Sequence, residues 1–176
     1  MHKSAIHDGL TDLLNHKAYQ DRFVEELSRA KRFKQNLVLL ILDLDKFKRI
    51  NDTYGHLYGD YVLMVVAKQL KESVRNIDIC ARYGGEEFAI VLVNTDIENA
   101  RPVAERIIEK VAEYHFNKDG IEEHMTISAG MSEYPKNSTD GKALIAHADL
   151  AMYEGKKNGR TEERREGKEC RSRWAQ

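Results

Sequence analysis

Apolar positions recur first at helical spacing, then as continuous runs, and the changes between the two mark out the elements. After Asn15, a residue suited to an N-cap, Tyr19, Phe23, Leu27 and Ala30 fall three to four apart and predict an amphipathic helix over residues 16–33. Leu37-Val38-Leu39-Leu40-Ile41-Leu42 is an unbroken apolar run that stops at Asp43-Leu44-Asp45, as a buried strand does when it delivers an acid to a cleft. Leu63, Val66, Ala67, Leu70 and Val74 line one face of a second helix, with Asp60 the expected cap. Ile77 to Tyr83 and Phe88 to Val93 are rich in β-branched and aromatic residues and predict a hairpin. Ala100, Val103, Ala104, Ile107, Ile108 and Val111 give the clearest helical period, in which Pro102 is tolerable only near the first turn. Alternation at Ile127, Ala129 and Met131 predicts a half-buried strand, and Leu144, Ala148 and Met152 a last helix. This order predicts an α/β sandwich with a central, mainly antiparallel sheet flanked by helices.

The hairpin tip, Tyr83-Gly84-Gly85-Glu86-Glu87-Phe88, carries the candidate chemistry. Two flexible glycines, free to take positive φ, precede two carboxylates. Taken singly, Asp43 reads as a polar strand end and Glu86-Glu87 as solvated turn acids. If the hairpin lies beside the 37–43 strand, Asp43 and Glu86 converge. Carboxylates from separate strands, joined by phosphate oxygens, suit octahedral Mg²⁺, which keeps several waters and takes one or two protein acids.

Composition narrows the setting. A chain of 176 residues suits one domain. Cys80, in an apolar stretch, and Cys170, in a polar one, imply no disulfide framework and point to a reducing cytoplasm. The longest apolar run is far short of the roughly 20 residues that span a bilayer, so no membrane contact is expected. A net charge of −1 (28 basic, 29 acidic) argues against a whole-domain grip on a nucleic-acid polymer. Glu162 to Gln176, mixed in charge and without apolar period, is expected to be a disordered or vector-derived tail outside a folded domain over 1–161.

Residues 8 to 160 resemble the GGDEF domain of diguanylate cyclases, in the GGEEF spelling. The resemblance rests on Asp8-Gly9-Leu10-Thr11-Asp12-Leu13-Leu14-Asn15, Asp43-Leu44-Asp45-Lys46-Phe47-Lys48, Asn51-Asp52, Gly55-His56, Gly59-Asp60, the hairpin tip, Ala148-Asp149-Leu150-Ala151-Met152-Tyr153, Lys156 and Gly159-Arg160, all in order. Departures are small: His16-Lys17 stands where two arginines are common, and Gly155 and Thr161 replace the usual Ala and Asn.

The resemblance implies a nucleotidyl-cyclase or palm-like fold and condensation of two GTP into cyclic di-GMP, with two Mg²⁺ (or Mn²⁺) per half-site. Asp43, the Leu44 carbonyl, Glu86 and Glu87 would be metal ligands. Glu86 and Lys48 would be catalytic, Glu86 toward the 3′-hydroxyl and Lys48 toward transition-state charge. Asn51 and Asp60 would read guanine, with His56, Lys46, Phe47, Gly84 and Gly85 further substrate contacts and Lys156 and Arg160 triphosphate anchors. Arg75, Asp78 and Arg106 would form an RxxD product-inhibition site. On residue type alone, Asn51 is a turn residue, Asp60 an N-cap, His56 a structural hydrogen-bonder, Lys156 and Arg160 favourable helix-end cations, and Arg75–Asp78 a surface salt bridge. The expected assembly is a homodimer, governed by a sensor or receiver domain upstream in a larger protein. An inactive GTP- or cyclic di-GMP-binding module and a mononucleotide cyclase are the competing functions. Intact Asp43, Lys48, Asp60, Glu86 and Glu87 disfavour the first, and the GGEEF hairpin with RxxD the second.

Overall fold

The computed structural model describes residues 3–166 and 174–175, with side chains described for 5–157. A short helix α1 (Lys3–Ile6) is followed by α2 (His16–Phe33), capped as its sequence predicts: Asn15 Oδ1 accepts from Ala18 N at 2.9 Å. Strand β1 (Leu37–Leu44), helices α3 (Phe47–Tyr54) and α4 (His56–Glu72), and the hairpin β2 (Ile79–Arg82) and β3 (Glu87–Val93) come next. Helix α5 (Ile97–Glu113), a small hairpin β4 (Phe116–Lys118) and β5 (Ile121–Glu123), β6 (Ile127–Tyr134), α6 (Gly141–Glu166) and β7 (Trp174–Ala175) complete the chain. The main sheet runs β2-β3-β1-β6-β7. It is antiparallel apart from the β6–β7 pair, so the expected α/β sandwich is what forms.

β1 is apolar throughout because it is central and covered on both faces. Its Val38, Leu40, Leu42 and Leu44 join a core with residues such as Val62, Val66 and Ile107 of α4 and α5. Leu37, Leu39 and Ile41 face Tyr19 and Phe23 of α2 and Leu144 and Met152 of α6. The antiparallel register sets Asp43 opposite Glu87 on one side and Ser128 on the other, which brings the end of the apolar run to the hairpin tip.

Four expectations need correction. Asp60 is no N-cap: α4 starts four residues earlier at His56, after Gly55 at φ 90° breaks the chain between α3 and α4. Pro102 sits in the second turn of α5, whose cap is Asp96, accepting from Asn99 N at 2.9 Å. β6 is buried along its whole length, not half-buried, and its polar Ser128 and Ser132 are satisfied internally by Asp45 and the Leu144 carbonyl. Ile77 lies before β2 and is 56% exposed. Of the expected tail, 162–166 continue α6 and 174–175 form β7, while 167–173 and 176, with Cys170, lie outside the described residues.

Candidate active site

Hydrogen bonds to the chain before α2 fix the hairpin tip. Arg82, just before the tip, donates from Nη2 and Nε to the Gly85 carbonyl (2.8 and 3.1 Å) and from Nη1 to the Asp8 carboxylate (3.2 Å to Oδ2). Asp8 is itself held by Thr11 N and Oγ1 at 2.9 and 2.8 Å, and these bonds with the Arg82 charge hold its carboxyl below the usual range against the opposing effect of burial. His16 Nδ1 lies 2.8 Å from the Tyr83 carbonyl. Arg82 had no assigned role from sequence, because its partner Asp8 lies 74 positions away and no local pattern pairs them.

Within this frame Asp43, Glu86 and Glu87 converge on Lys156. Lys156 Nζ bonds Asp43 Oδ2 at 2.7 Å and lies 3.5 Å from Asp45 Oδ1. Burial, then the negative charge of Asp43, push the Glu86 carboxyl above its ordinary range, and Glu87 is raised by the same two causes. Asp45 is committed: Thr126 Oγ1 and Ser128 Oγ donate to it at 2.6 and 2.7 Å. Asp43 Oδ1 is buried and, among the described residues, meets no N–H or hydroxyl donor; the group that approaches this carboxylate is the Glu86 carboxyl, within hydrogen-bonding reach when protonated. A buried carboxylate oxygen without a donor costs about 1–3 kcal/mol, and a bound ion is one arrangement that would offset that cost. Among the described residues no three His, Cys, Asp or Glu side chains form a ready metal cage. Two converging acids, one oxygen of which meets no such donor, nevertheless fit a hard divalent cation that completes its shell with water and phosphate.

Other expected residues lie elsewhere. Lys48 is exposed on α3, 4.0 Å from Asp52, and Lys46, exposed at φ 55°, precedes that helix. Phe47 is buried in the core, 6% exposed, rather than free to meet a ligand. Asn51 packs on Gly59, where a Cβ would collide with its Oδ1, so α3 and α4 approach closely enough to set Asn51 near Asp60. His56 is exposed at the start of α4. No hydrogen bond or ion pair joins Lys46, Lys48, Asn51, His56 or Asp60 to the Asp43 cluster among the described residues. The Arg160 side chain lies outside them.

Neither Gly84 nor Gly85 takes the positive φ expected of it; among the described glycines only Gly55 and Gly120 do. A Cβ on Gly85 would meet nothing within 4 Å. Packing within the chain therefore does not require glycine there, which leaves the expected substrate contact to be tested by binding. Gly85→Ala should leave the melting midpoint within about 1 °C of the parent while weakening nucleotide binding by about tenfold or more; equal binding would return the position to an ordinary turn.

Asp78 is a buried tie rather than half of a surface salt bridge. Its side chain, 1% exposed, accepts from Arg75 Nη2 at 3.0 Å and from Val93 N at 3.1 Å. Arg75 also caps the Val93 carbonyl at 2.6 Å yet stays 53% exposed, and Arg106 reaches the same loop through the Ser73 carbonyl at 2.7 Å.

Residues 5–162 match the family described as "Diguanylate cyclase, GGDEF domain". The chain belongs to the GGDEF domain family. Diguanylate cyclase A of Treponema denticola is 42% identical over 157 residues, covering 85% of this chain and 42% of that protein. Among solved structures, the active GGEEF domain of a diguanylate cyclase from Vibrio cholerae is 38% identical with a TM-score of 0.78, covering 84% of this chain and 93% of that one. The coiled coil and GGDEF domain of DgcB from Caulobacter crescentus, in complex with c-di-GMP, gives a TM-score of 0.85 at 29% identity, covering 99% and 87%. The chain spans less than half the length of the first curated relatives it matches. GGDEF cyclases are generally metal-dependent. Among the described residues no helix is long and apolar enough to cross a membrane.

Proposed function

We propose that this GGDEF domain, acting as one unit over 1–161, condenses two GTP into cyclic di-GMP and two pyrophosphates. The observation that carries this is the close Asp43–Glu86 pair at the glycine tip, with Asp43 Oδ1 buried and met by no N–H or hydroxyl donor among the described residues. Each 3′-hydroxyl attacks the other nucleotide's α-phosphorus, forming one P–O bond as the bond to the pyrophosphate breaks, so catalysis is mainly positioning and charge neutralisation. Asp43, the Leu44 carbonyl, Glu86 and Glu87 would hold two Mg²⁺ or Mn²⁺ per half-site. Such ions, when bound, neutralise charge on the attacking and leaving oxygens.

The chain's own groups do the rest. Glu86 accepts the 3′-hydroxyl proton. Lys48 screens charge developing on the phosphates, and Lys156 and Arg160 anchor the triphosphate; a cation on Asp43 together with phosphate on Lys156 replaces one ion pair by two. Asp60 accepts from guanine N1–H and N2–H, with Asn51, placed by Gly59, beside it, and a pocket built for those donors rejects adenine. Lys46, His56, Gly84 and Gly85 border the nucleotide, while Phe47 supports α3 from below. One cleft with one guanine reader holds one GTP, so two copies meet as a homodimer about a two-fold axis, under an upstream sensor or receiver domain, in the cytoplasm where GTP is found. Incubation with GTP and Mg²⁺ followed by mass analysis tests this: cyclic di-GMP is expected, whereas a cyclic mononucleotide or unchanged GTP overturns it.

Arg75, Asp78 and Arg106 form the product-inhibition surface, since arginine forks suit phosphate and guanine edges. Arg75→Ala should relieve inhibition by added cyclic di-GMP while initial rates stay similar. Asp78→Ala should instead lower stability by about 1–3 kcal/mol, because Val93 N is left buried and unpaired. Unchanged inhibition in the Arg75 variant returns the motif to a purely structural tie.

A further inference from the structure

Behind the hairpin, away from the Asp43 cluster, a cavity of about 660 Å³ opens between the segment before α2, the outer face of α4 and the start of β2. Its size lies within the range of small-molecule sites. Leu13, Leu14, Met64 and Ala67 give it an apolar wall, while Arg22, Lys68 and Lys71 also line it. Met64, Ala67, Lys68 and Lys71 share one helical face, three to four residues apart, so α4 supplies both the apolar floor and two of the cations.

Three cations and three acids line it, but they are not equally available. The acids at its rim are engaged: Asp78 with Arg75 at 3.0 Å, Glu72 with Lys110 at 3.9 Å, and Asp12 as well. Arg22, Lys68 and Lys71 form no hydrogen bond or ion pair among the described residues. Lys71 acts inward: burial pushes the Cys80 thiol up to about 12, and the Lys71 charge is what opposes that rise. The cavity borders the proposed product-inhibition surface at Asp78, whose carboxylate is already held by Arg75 and Val93 N, but neither arginine of that surface, Arg75 or Arg106, lines it.

We infer that this cavity is a binding site for a small amphiphilic anion, a compact apolar or aromatic body bearing a carboxylate, sulfonate or phosphate that meets Lys68, Lys71 and Arg22. Its position gives binding a consequence. Residues 6–14 contribute one wall, and the same segment carries Asp8, whose bond to Arg82 holds the Gly85 carbonyl. An occupant therefore orders the segment that braces the tip.

Anilinonaphthalene sulfonate, an aromatic anion that fluoresces when its apolar body is covered, is the probe, titrated against the whole chain without nucleotide. One saturable phase is expected, weakened about tenfold or more in Lys68→Ala/Lys71→Ala, since a charged hydrogen-bond partner is lost. The exposed pair Lys31→Ala/Lys136→Ala, which changes net charge equally, should leave affinity unchanged, and the uncharged N-phenylnaphthylamine should bind far more weakly. Arg22→Gln gives an independent variant should the double substitution lower the melting midpoint, and is expected to weaken binding as well. Equal weakening in both double variants, equal binding of the uncharged analogue, no saturable phase, no loss in Arg22→Gln, or displacement of the probe by cyclic di-GMP would each overturn the site. None of these readouts uses turnover, so the result stands apart from the catalytic proposal.

Discussion

Glu86→Gln should reduce cyclic di-GMP formation roughly a thousandfold without lowering the melting midpoint. The two effects separate because Glu86 works against the fold where it stands. Burial and the charge of Asp43 both disfavour its ionised form, so a neutral amide of nearly the same shape removes a repulsion. The same change deletes half of the converging acid pair and the proposed proton acceptor. Asp43→Asn should be as inactive but less benign, since it weakens the 2.7 Å pairing with a Lys156 side chain that is 14% exposed, leaving Asp45 Oδ1 at 3.5 Å as its remaining acid. Turnover with saturating Mg²⁺ and thermal unfolding of the same samples decide it. Product at more than a tenth of the parent rate would remove Glu86 from the chemistry, and a clearly lowered midpoint would make its role structural.

How far such a site can be read from sequence depends on the reach of the interactions that build it. The 37–42 run was legible because a central strand buried on both faces must be apolar at every position. The arrival of Asp43 beside Glu86 followed once the hairpin and that strand were taken as neighbours. Asp60 was misread as a cap because the start of α4 is set by Gly55 at φ 90°, a break that apolar spacing does not register. β6 looked half-buried because Ile127, Ala129 and Met131 alternate with other residues, yet those between and beyond them are buried too, Ser128 and Ser132 bonding Asp45 and the Leu144 carbonyl.

The β4–β5 hairpin was missed although a signal existed. Asp119 and Gly120 at φ 54° and 79° form the two-residue turn that Asp-Gly favours, but strands of three residues are too short for alternation to show. That hairpin matters to the site. Arg49 of α3 meets Glu123 at 3.1 Å and Tyr54 donates to the same carboxylate at 2.9 Å, so α3, with Lys48 and Asn51, is tied down by a feature local pattern did not reveal. The Arg82–Asp8 brace escaped for the same reason: bonds across many tens of residues exist only in the folded chain.

Gly130→Ala should cost about 3 kcal/mol or more, the largest stability effect expected of any single methyl group in this domain. Gly130 lies mid-strand in β6, opposite Ile41, with a φ any residue could adopt, so the backbone conformation does not demand glycine. The demand is spatial. A Cβ there would run into the Ala148 carbonyl and the Met152 backbone nitrogen of α6, with the Met152 Cα at 2.8 Å. These are main-chain atoms of a long helix that cannot rotate aside like a side chain, so α6 must lift from the sheet or β6 must bend. Glycine in a strand interior marks such a close approach of two backbones. Lifting α6 also moves Lys156, one turn beyond Met152, away from the end of β1, so the fraction that stays folded should bind GTP more weakly. Urea unfolding should show a lower midpoint with an unchanged slope, in contrast to Gly85→Ala, where the added methyl meets open space. A loss below about 0.5 kcal/mol would mean that α6 seats loosely, and that the 2.7 Å approach of Lys156 to Asp43 is not set by the helix backbone.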